Sequence, residues 1–276
     1  MDQWLRQHGA TAGVQLSEVR ILAEFAFSLS RTALVTSKPE QFTTDQLSNF
    51  SALLARRSSG EPIAYITGQR EFYSRRFEIT KDVLIPRHDT ETLIEAILNL
   101  PLPTSARVID LGTGSGCIAI TLALERPNWR VTATDISSAA LALAQRNANE
   151  LGAKLHFTVS HWWQSVAVEP FDIIISNPPY IAAGDAHLSQ GDLPFEPLMA
   201  LSDGADGLSA YRQILQGSAL YSKATSNSFI AFEHGFDQAG AISALLAAKG
   251  CQAITLCSDL SGQPRVTTAQ LPLALK

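Results

Sequence analysis

Two consecutive prolines, Pro178 and Pro179, follow the apolar run Phe171-Asp172-Ile173-Ile174-Ile175-Ser176 with only Asn177 between. The run reads as a buried strand. It cannot continue through a Pro-Pro pair, because neither proline carries an N–H and both fix φ. The chain must therefore leave its sheet at Asn177 through a rigid break. In a parallel sheet, the carboxyl ends of the strands are where ligands bind. Asn177-Pro178-Pro179-Tyr180 presents a carboxamide, the main-chain carbonyl of Pro178 and an aromatic face. Such groups suit the capture of a planar NH2 by hydrogen-bond acceptors while a flat surface packs beside it. Asn177, Pro178 and Tyr180 are accordingly candidate catalytic residues, and all four are candidate substrate contacts.

Around this break the sequence alternates. Strands are expected at Arg107–Leu111, Arg130–Thr134, Leu155–Val159, Phe171–Ser176, Ser228–Phe232, Ala253–Cys257 and Arg265–Ala269. Helices are expected at Cys117–Arg126, Ser138–Leu151, Leu208–Tyr221 and Phe236–Lys249, with a loop-rich insert at Ala182–Asp206. Alternating strand and helix predicts an α/β fold with a doubly wound, mostly parallel sheet of seven strands. The last two strands have no helix between them and must pair as an antiparallel terminal hairpin, which separates this sheet from a plain dinucleotide-binding fold.

The first strand of that series runs into Asp110-Leu111-Gly112-Thr113-Gly114-Ser115-Gly116, which opens a helix. Glycines there permit a tight turn and close backbone approach to a ligand at the helix amino end. Asp135 ends the next strand, 19 residues beyond Gly116, where a carboxylate can accept both hydroxyls of a ribose. Gly114 to Ala119 also fits the dinucleotide pattern G-x-G-x-x-[GA], a weak signal alone. Asp110 tips the choice. An anion two residues before the first glycine would repel a pyrophosphate but suits the cationic sulfonium amino acid of S-adenosylmethionine. Asp110, Gly112, Thr113, Gly114, Ser115, Gly116 and Asp135 are therefore candidate cofactor contacts.

Upstream, residues 1–60 read as short amphipathic helices, including Glu18–Leu29 and a helix capped by Thr43 or Thr44. They form a small N-terminal all-α domain, assigned to residues 1–75. Glu61–Arg87 alternates like strands and turns, with a hairpin pairing Phe72-Tyr73 with Phe77-Glu78-Ile79. A helix over Thr90–Asn99 then completes a linker, residues 76–100, before the sheet domain of residues 101–276.

Charge narrows the partners. Residues 81–276 carry 12 Lys/Arg against 18 Asp/Glu, with no dense basic run. A nucleic-acid enzyme gains much of its affinity by neutralising phosphates with Lys and Arg, so nucleic acid is disfavoured as the direct substrate. No apolar run approaches the ~18 residues of a membrane span, and the amino terminus has no signal-peptide pattern. Cys117, Cys251 and Cys257 lack ligand spacing, so neither a metal site nor a disulfide framework is expected. A cytoplasmic monomer is the expectation.

Together these residues resemble the class I S-adenosylmethionine-dependent methyltransferases that modify planar amino groups, with their Rossmann-like sheet. More narrowly the chain resembles the release factor glutamine methyltransferases, the PrmC/HemK family. The resemblance rests on Gly60 to Gly68, Leu84 to Glu91, the glycine loop, Asn177 to Tyr180, Gly191 to Pro197, and Glu233-His234-Gly235. It implies N5-methylation of the glutamine amide in the Gly-Gly-Gln motif of peptide chain release factors. It also implies that Gly112 to Gly116 wrap the methionine end of the cofactor, that Asp135 holds its ribose and that Trp162 lies along its adenine. Asn177 and Pro178 would grip the substrate amide, with Asn177 also a cofactor contact and Tyr180 packing beside the amide. Two positions depart from the family pattern: His161 stands where Asp is usual and His88 where Pro is usual. Glu233 and His234 read as a strand-end pair that shapes the pocket, and Arg87 as a linker charge outside the site. Because Asn-Pro-Pro-Tyr also occurs in adenine methyltransferases, an adenine-N6 enzyme acting on nucleic acid is the alternative.

Overall fold

The computed structural model describes residues 1–223 and 228–273. The chain divides into two compact units, one of residues 1–69 with 190–195, the other of residues 70–189 with 196–276.

The first unit is helical: α1 (Asp2–Ala12), α2 (Leu16–Phe27), α3 (Arg31–Thr36), α4 (Thr44–Ser58) and α5 (Ile63–Thr67). Leu5, Val19, Leu22, Ala23, Phe27, Phe50, Leu53 and Leu54 build its core, repeating at the three-to-four-residue spacing of one helix face. Thr43 is the cap of α4. Its hydroxyl accepts from the Gln46 N–H at 3.2 Å, and the Gln46 side chain accepts from the Thr43 N–H at 3.0 Å, a reciprocal capping box. The segment 190–195 belongs here through Asp192, which pairs with Arg57 at 3.0 Å.

Residues 63–67 depart from the expected strand. Although Ile63, Ile66 and Thr67 favour strands, Pro62 supplies a helix-compatible φ of −58° and its carbonyl accepts from the N–H groups of Tyr65 and Ile66. Burial of Ala64, Tyr65 and Ile66 then outweighs local preference. The expected hairpin follows as β1 (Gln69–Phe72) and β2 (Arg75–Glu78). Both of its turn residues, Tyr73 and Ser74, have positive φ, as a two-residue hairpin turn requires.

The second unit continues with α6 (Glu91–Leu98), β3 (Arg107–Leu111), α7 (Cys117–Glu125), β4 (Arg130–Asp135), α8 (Ser138–Leu151), β5 (His156–Val159) and β6 (Ile173–Ser176). After the insert, which holds two 3-10 turns and the short helix α9 (Leu198–Leu201), come α10 (Ser209–Tyr221), β7 (Phe229–Glu233), α11 (Ala239–Ala248), β8 (Gln252–Ser258) and β9 (Pro264–Gln270). The seven-stranded sheet has the order β5-β4-β3-β6-β7-β9-β8. All neighbours are parallel except β9, which runs antiparallel to both β7 and β8, the expected terminal hairpin. Strands β6 and β7 are buried on both faces, which explains their unbroken apolar sequence.

The strand order positions the site. From β3 the chain winds outward through β4 to β5, then returns to place β6 on the other side of β3. The direction of winding reverses between β3 and β6, and the crevice at their carboxyl ends is where such sheets hold ligands. The Ser176 hydroxyl donates to the Leu111 carbonyl at 2.6 Å and ties the two strand ends together.

Candidate active site

A cavity of about 280 Å³ opens at this switch point. Gly112, Thr113, Gly114 and Ser115 form one wall, Asp135 to Ser137 and Ser160 to Trp162 the next. Asn177 and Pro179, with Arg87 and Thr90, close the opposite side.

The glycine wall is shaped by backbone. Gly112, Gly114 and Gly116 have φ of 77°, 56° and 82°, a region side-chain-bearing residues avoid. A Cβ on Gly116 would also fall 2.7 Å from Ile120 Cδ1 and 3.0 Å from Ala144 Cβ, so only glycine lets α7 start against α8. The N–H groups of Gly112 and Thr113 both donate to the Thr134 carbonyl. Asp135 completes the turn, its carboxylate accepting from the N–H groups of Gly114 and Ser137, each at 2.9 Å. Burial raises its pKa while these backbone bonds oppose the rise. The carboxylate lies on the cavity lining, where it can accept from a ligand.

Asp110 is placed differently from expectation. It lies beneath the turn with no exposure rather than on the cavity wall. One carboxyl oxygen accepts from the Thr113 hydroxyl at 2.6 Å; the other, Oδ1, has no partner among the described residues. Burial pushes this carboxyl up to about 7, with the Thr113 hydrogen bond acting against it. Gly116, Pro178 and Tyr180 also stand back from the wall, whereas Gly112, Thr113, Gly114, Ser115, Asp135, Trp162, Asn177 and Pro179 line it.

The adjacent tryptophans part company. Trp162 takes a positive φ of 49°, its carbonyl held by the Ser160 hydroxyl, and its ring edge approaches the position a Cβ on Gly112 would occupy. Trp163 turns inward, stacks on Tyr221 at 4.2 Å and donates to the Ile214 carbonyl. His161 lines the cavity beside Trp162. His88 is exposed and meets Glu91 at 3.2 Å, away from the wall.

On the opposite side the Asn177 amide nitrogen faces the Thr90 hydroxyl at 3.5 Å. Behind them lies Glu233, 1% exposed. Burial pushes its carboxyl up to about 7, against the pull of hydrogen bonds from the Thr90 and Asn177 side chains and the positive charge of Arg265. The break after Asn177 is braced by Gln238, which donates to the Tyr180 carbonyl at 2.9 Å. The Ile181 N–H donates to Leu201 O. Burial raises the Tyr180 hydroxyl pKa further, aided by nearby Glu233, so that side chain stays neutral. His234 does not share Glu233's surroundings: its ring bonds Thr267 at 2.8 Å on β9.

Sequence reasoning missed Arg87 and Glu196. Arg87 lines the cavity and forms an ion pair with the buried Glu196, whose second oxygen accepts from the Ile85 N–H at 3.0 Å. Glu196 thereby fixes the segment that carries Arg87 and leads to Thr90. Its presence in the Gly191–Pro197 stretch was the available signal. Among the described residues no helix is long and apolar enough to cross a membrane.

The reversed winding, the glycine turn, the strand-end carboxylate and the terminal antiparallel hairpin define an S-adenosylmethionine-dependent methyltransferase of the Rossmann-like class. Residues 88–192 match the methyltransferase small domain and residues 3–68 the PrmC N-terminal domain. A methyltransferase structure from Pyrococcus furiosus, 16% identical, covers 80% of this chain and 98% of its own with a TM-score of 0.55, and so shares the fold. The release factor glutamine methyltransferase of Neisseria gonorrhoeae is 44% identical over 100% of this chain and 99% of the relative. That of Bordetella pertussis is 44% identical over 95% and 97%. The chain belongs to the release factor glutamine methyltransferase family.

Proposed function

We propose that the chain methylates the side-chain amide nitrogen of the glutamine in the Gly-Gly-Gln motif of peptide chain release factors. The observation that carries the reading is the carboxamide of Asn177, which lines the switch-point cavity together with the glycine turn and meets the Thr90 hydroxyl. The residues present fit S-adenosylmethionine. Three glycines of positive φ leave backbone exposed along the turn, and Asp135 stands on the wall as an acceptor carboxylate. Gly112 to Gly116, Asp135 and Trp162 would hold the cofactor, which when bound supplies a methyl group activated by positive sulfur.

The protein's part in the chemistry is positional. An amide nitrogen is a poor nucleophile because its lone pair is delocalised into the carbonyl. The Asn177 side-chain oxygen and the Pro178 carbonyl accept from the substrate NH2, fix its plane and favour rehybridisation of nitrogen. As positive charge grows on that nitrogen the two acceptors bind more strongly, which lowers the barrier. Tyr180 packs beside the amide as a neutral aromatic. No strong base is needed, since the charged nitrogen sheds its proton to water readily. Residues 1–75 would contact the body of the release factor, because a single loop offers little area for specific docking. We read the protein as a cytoplasmic monomer.

The test is mass spectrometry of a purified release factor after incubation with enzyme and S-adenosylmethionine. One added methyl on the Gly-Gly-Gln glutamine is the expected result. An unmodified loop, with methylated adenine in a parallel DNA reaction, overturns the reading.

A further inference from the structure

Strands β6 and β7 pair in parallel with Ser176 opposite Phe232. The next residue on each strand is therefore Asn177 on one side and Glu233 on the other, and the two share the same end of the sheet. Glu233 is a buried carboxyl that the transfer chemistry does not use. Its Oε2 has no hydrogen-bond partner among the described residues, and its charged form is supported by the Thr90 and Asn177 side chains. Thr90 Oγ1 lies 3.5 Å from the Asn177 amide nitrogen.

A carboxamide has two nearly isosteric orientations, and only one presents oxygen to the substrate. We propose that Glu233, acting through the Thr90 hydroxyl, is a positioning residue that selects the Asn177 orientation whose Oδ1 faces the incoming amide. The inference rests on the role assigned to Asn177 above. With Glu233 ionised, its charge draws the single Thr90 proton toward the carboxylate. Thr90 Oγ1 then has only lone pairs left for Asn177 and must be met by an N–H. A flipped Asn177 would set Oδ1 against that oxygen and leave a buried charge without its donor, which is costly. Once Glu233 is protonated it can donate to Thr90, the Thr90 proton is free to turn to Asn177 Oδ1, and the flipped orientation becomes accessible. That orientation offers an NH2 to the substrate NH2 and blocks capture.

Other groups face Glu233. Arg265 from β9 favours its charged form and Asp89, ahead of α6, opposes it; the two pair with each other at 3.3 Å. Tyr211 from α10 donates to the Glu233 carbonyl at 2.8 Å. Tyr211, Tyr180 and Cys117 of α7 all have pKa values raised chiefly by burial, so they stay neutral across the range in which Glu233 titrates.

The experiment measures single-turnover methylation of a release factor at saturating cofactor from pH 5.5 to 9. Wild type, Glu233→Gln, Thr90→Val and the double variant are compared, with cofactor Kd and melting temperature measured in parallel. The wild-type rate should fall on the acid side with a midpoint near 7. Glu233→Gln keeps the shape but not the charge. It should lose that acid limb and run roughly tenfold below the wild-type plateau, as loss of a group orienting a ligating side chain typically does. Cofactor Kd should stay within about twofold, since the cofactor contacts are untouched. Thr90→Val should give a similar loss, and the double variant no more than either alone, because the pair acts as one unit. A Glu233→Gln enzyme with wild-type rate and acid limb, or losses that multiply in the double variant, overturns the inference. Asn177→Ala measured alongside separates the two failures. If it too runs at wild-type rate, the Asn177 reading is wrong; if it alone is slow, only the Glu233 role is.

Discussion

The two sides of the cavity are made of different material. The glycine side is fixed by main chain: Gly112 and Thr113 donate to one carbonyl of the next strand, and Gly114 to the adjoining carboxylate. The Asn177 side is fixed by side chains from distant segments: Thr90, Glu233, Gln238 and the Arg87–Glu196 pair. Backbone walls tolerate little change, and the carboxylate on this one, Asp135, is itself held by main-chain N–H groups. Side-chain walls can be tuned and can titrate. The difference suits a cofactor that must be held whole on one side and an amide that must be oriented on the other. It also separates affinity from rate, which substitutions can test.

The largest expected effect is on the side-chain wall. On the role proposed for Asn177, Asn177→Ala removes an acceptor that strengthens as charge develops on the substrate nitrogen, so turnover should fall by about 10²–10³. Cofactor affinity should stay nearly unchanged, because the glycine turn and Asp135 remain. Stopped single-turnover assays and calorimetry measure the two quantities separately. A variant that loses both in equal proportion would show that the two sides are not independent.

A second test asks whether the backbone side conceals a titrating group. The folded-state pKa of Asp110 is raised from 3.8 to about 7 by burial. Its stabilising contribution is therefore complete below about pH 4 and is lost as pH rises to 7, because the unfolded chain ionises first. Asp110→Asn cannot titrate. Between pH 5 and pH 8 the variant should gain on wild type by about 2–3 kcal/mol, at about 1.4 kcal/mol for each pH unit in the window. At pH 5 the asparagine should be the less stable protein, since it buries an NH2 without an acceptor. Chemical denaturation at the two pH values measures the crossing; parallel stability profiles for the two proteins would refute the burial argument.

The same contrast governs what the sequence revealed. The glycine turn was legible because its donors, its φ requirements and Asp135 lie within one strand-turn-helix-strand stretch. The sheet and its antiparallel ending followed from the order of apolar runs, although strand and helix ends moved by one to three residues. Thr90 stands 87 residues from Asn177, and Glu196 stands 109 from Arg87. Their contacts exist only after folding, so neither spacing nor periodicity could reveal them. The burial of Asp110 was not legible for a related reason. Its position before the turn is set by sequence, but whether it faces a ligand or the core depends on the strand's pleat. Helix α5 was missed because Ile63, Ile66 and Thr67 look like strand residues until the core that buries them is known.

The smallest expected effect refines the backbone side itself. Asp135 has two roles there: its oxygens accept main-chain N–H groups of the turn, and the residue lines the cavity. Asp135→Asn keeps the size of the side chain but turns one oxygen into an NH2, which cannot accept from either Gly114 or Ser137. One N–H of the turn loses its partner, and one acceptor for a ribose hydroxyl disappears. Replacing a charged acceptor by a neutral amide costs roughly 1.5 kcal/mol at the low end of charged hydrogen bonds, or about tenfold in cofactor affinity. Turnover at saturating cofactor should hold, because Asn177 and its supports are intact. Calorimetry gives the affinity and a saturated single-turnover assay the rate. A variant that binds the cofactor as wild type does, yet transfers slowly, would place Asp135 in the chemical step and dissolve the division between the two walls.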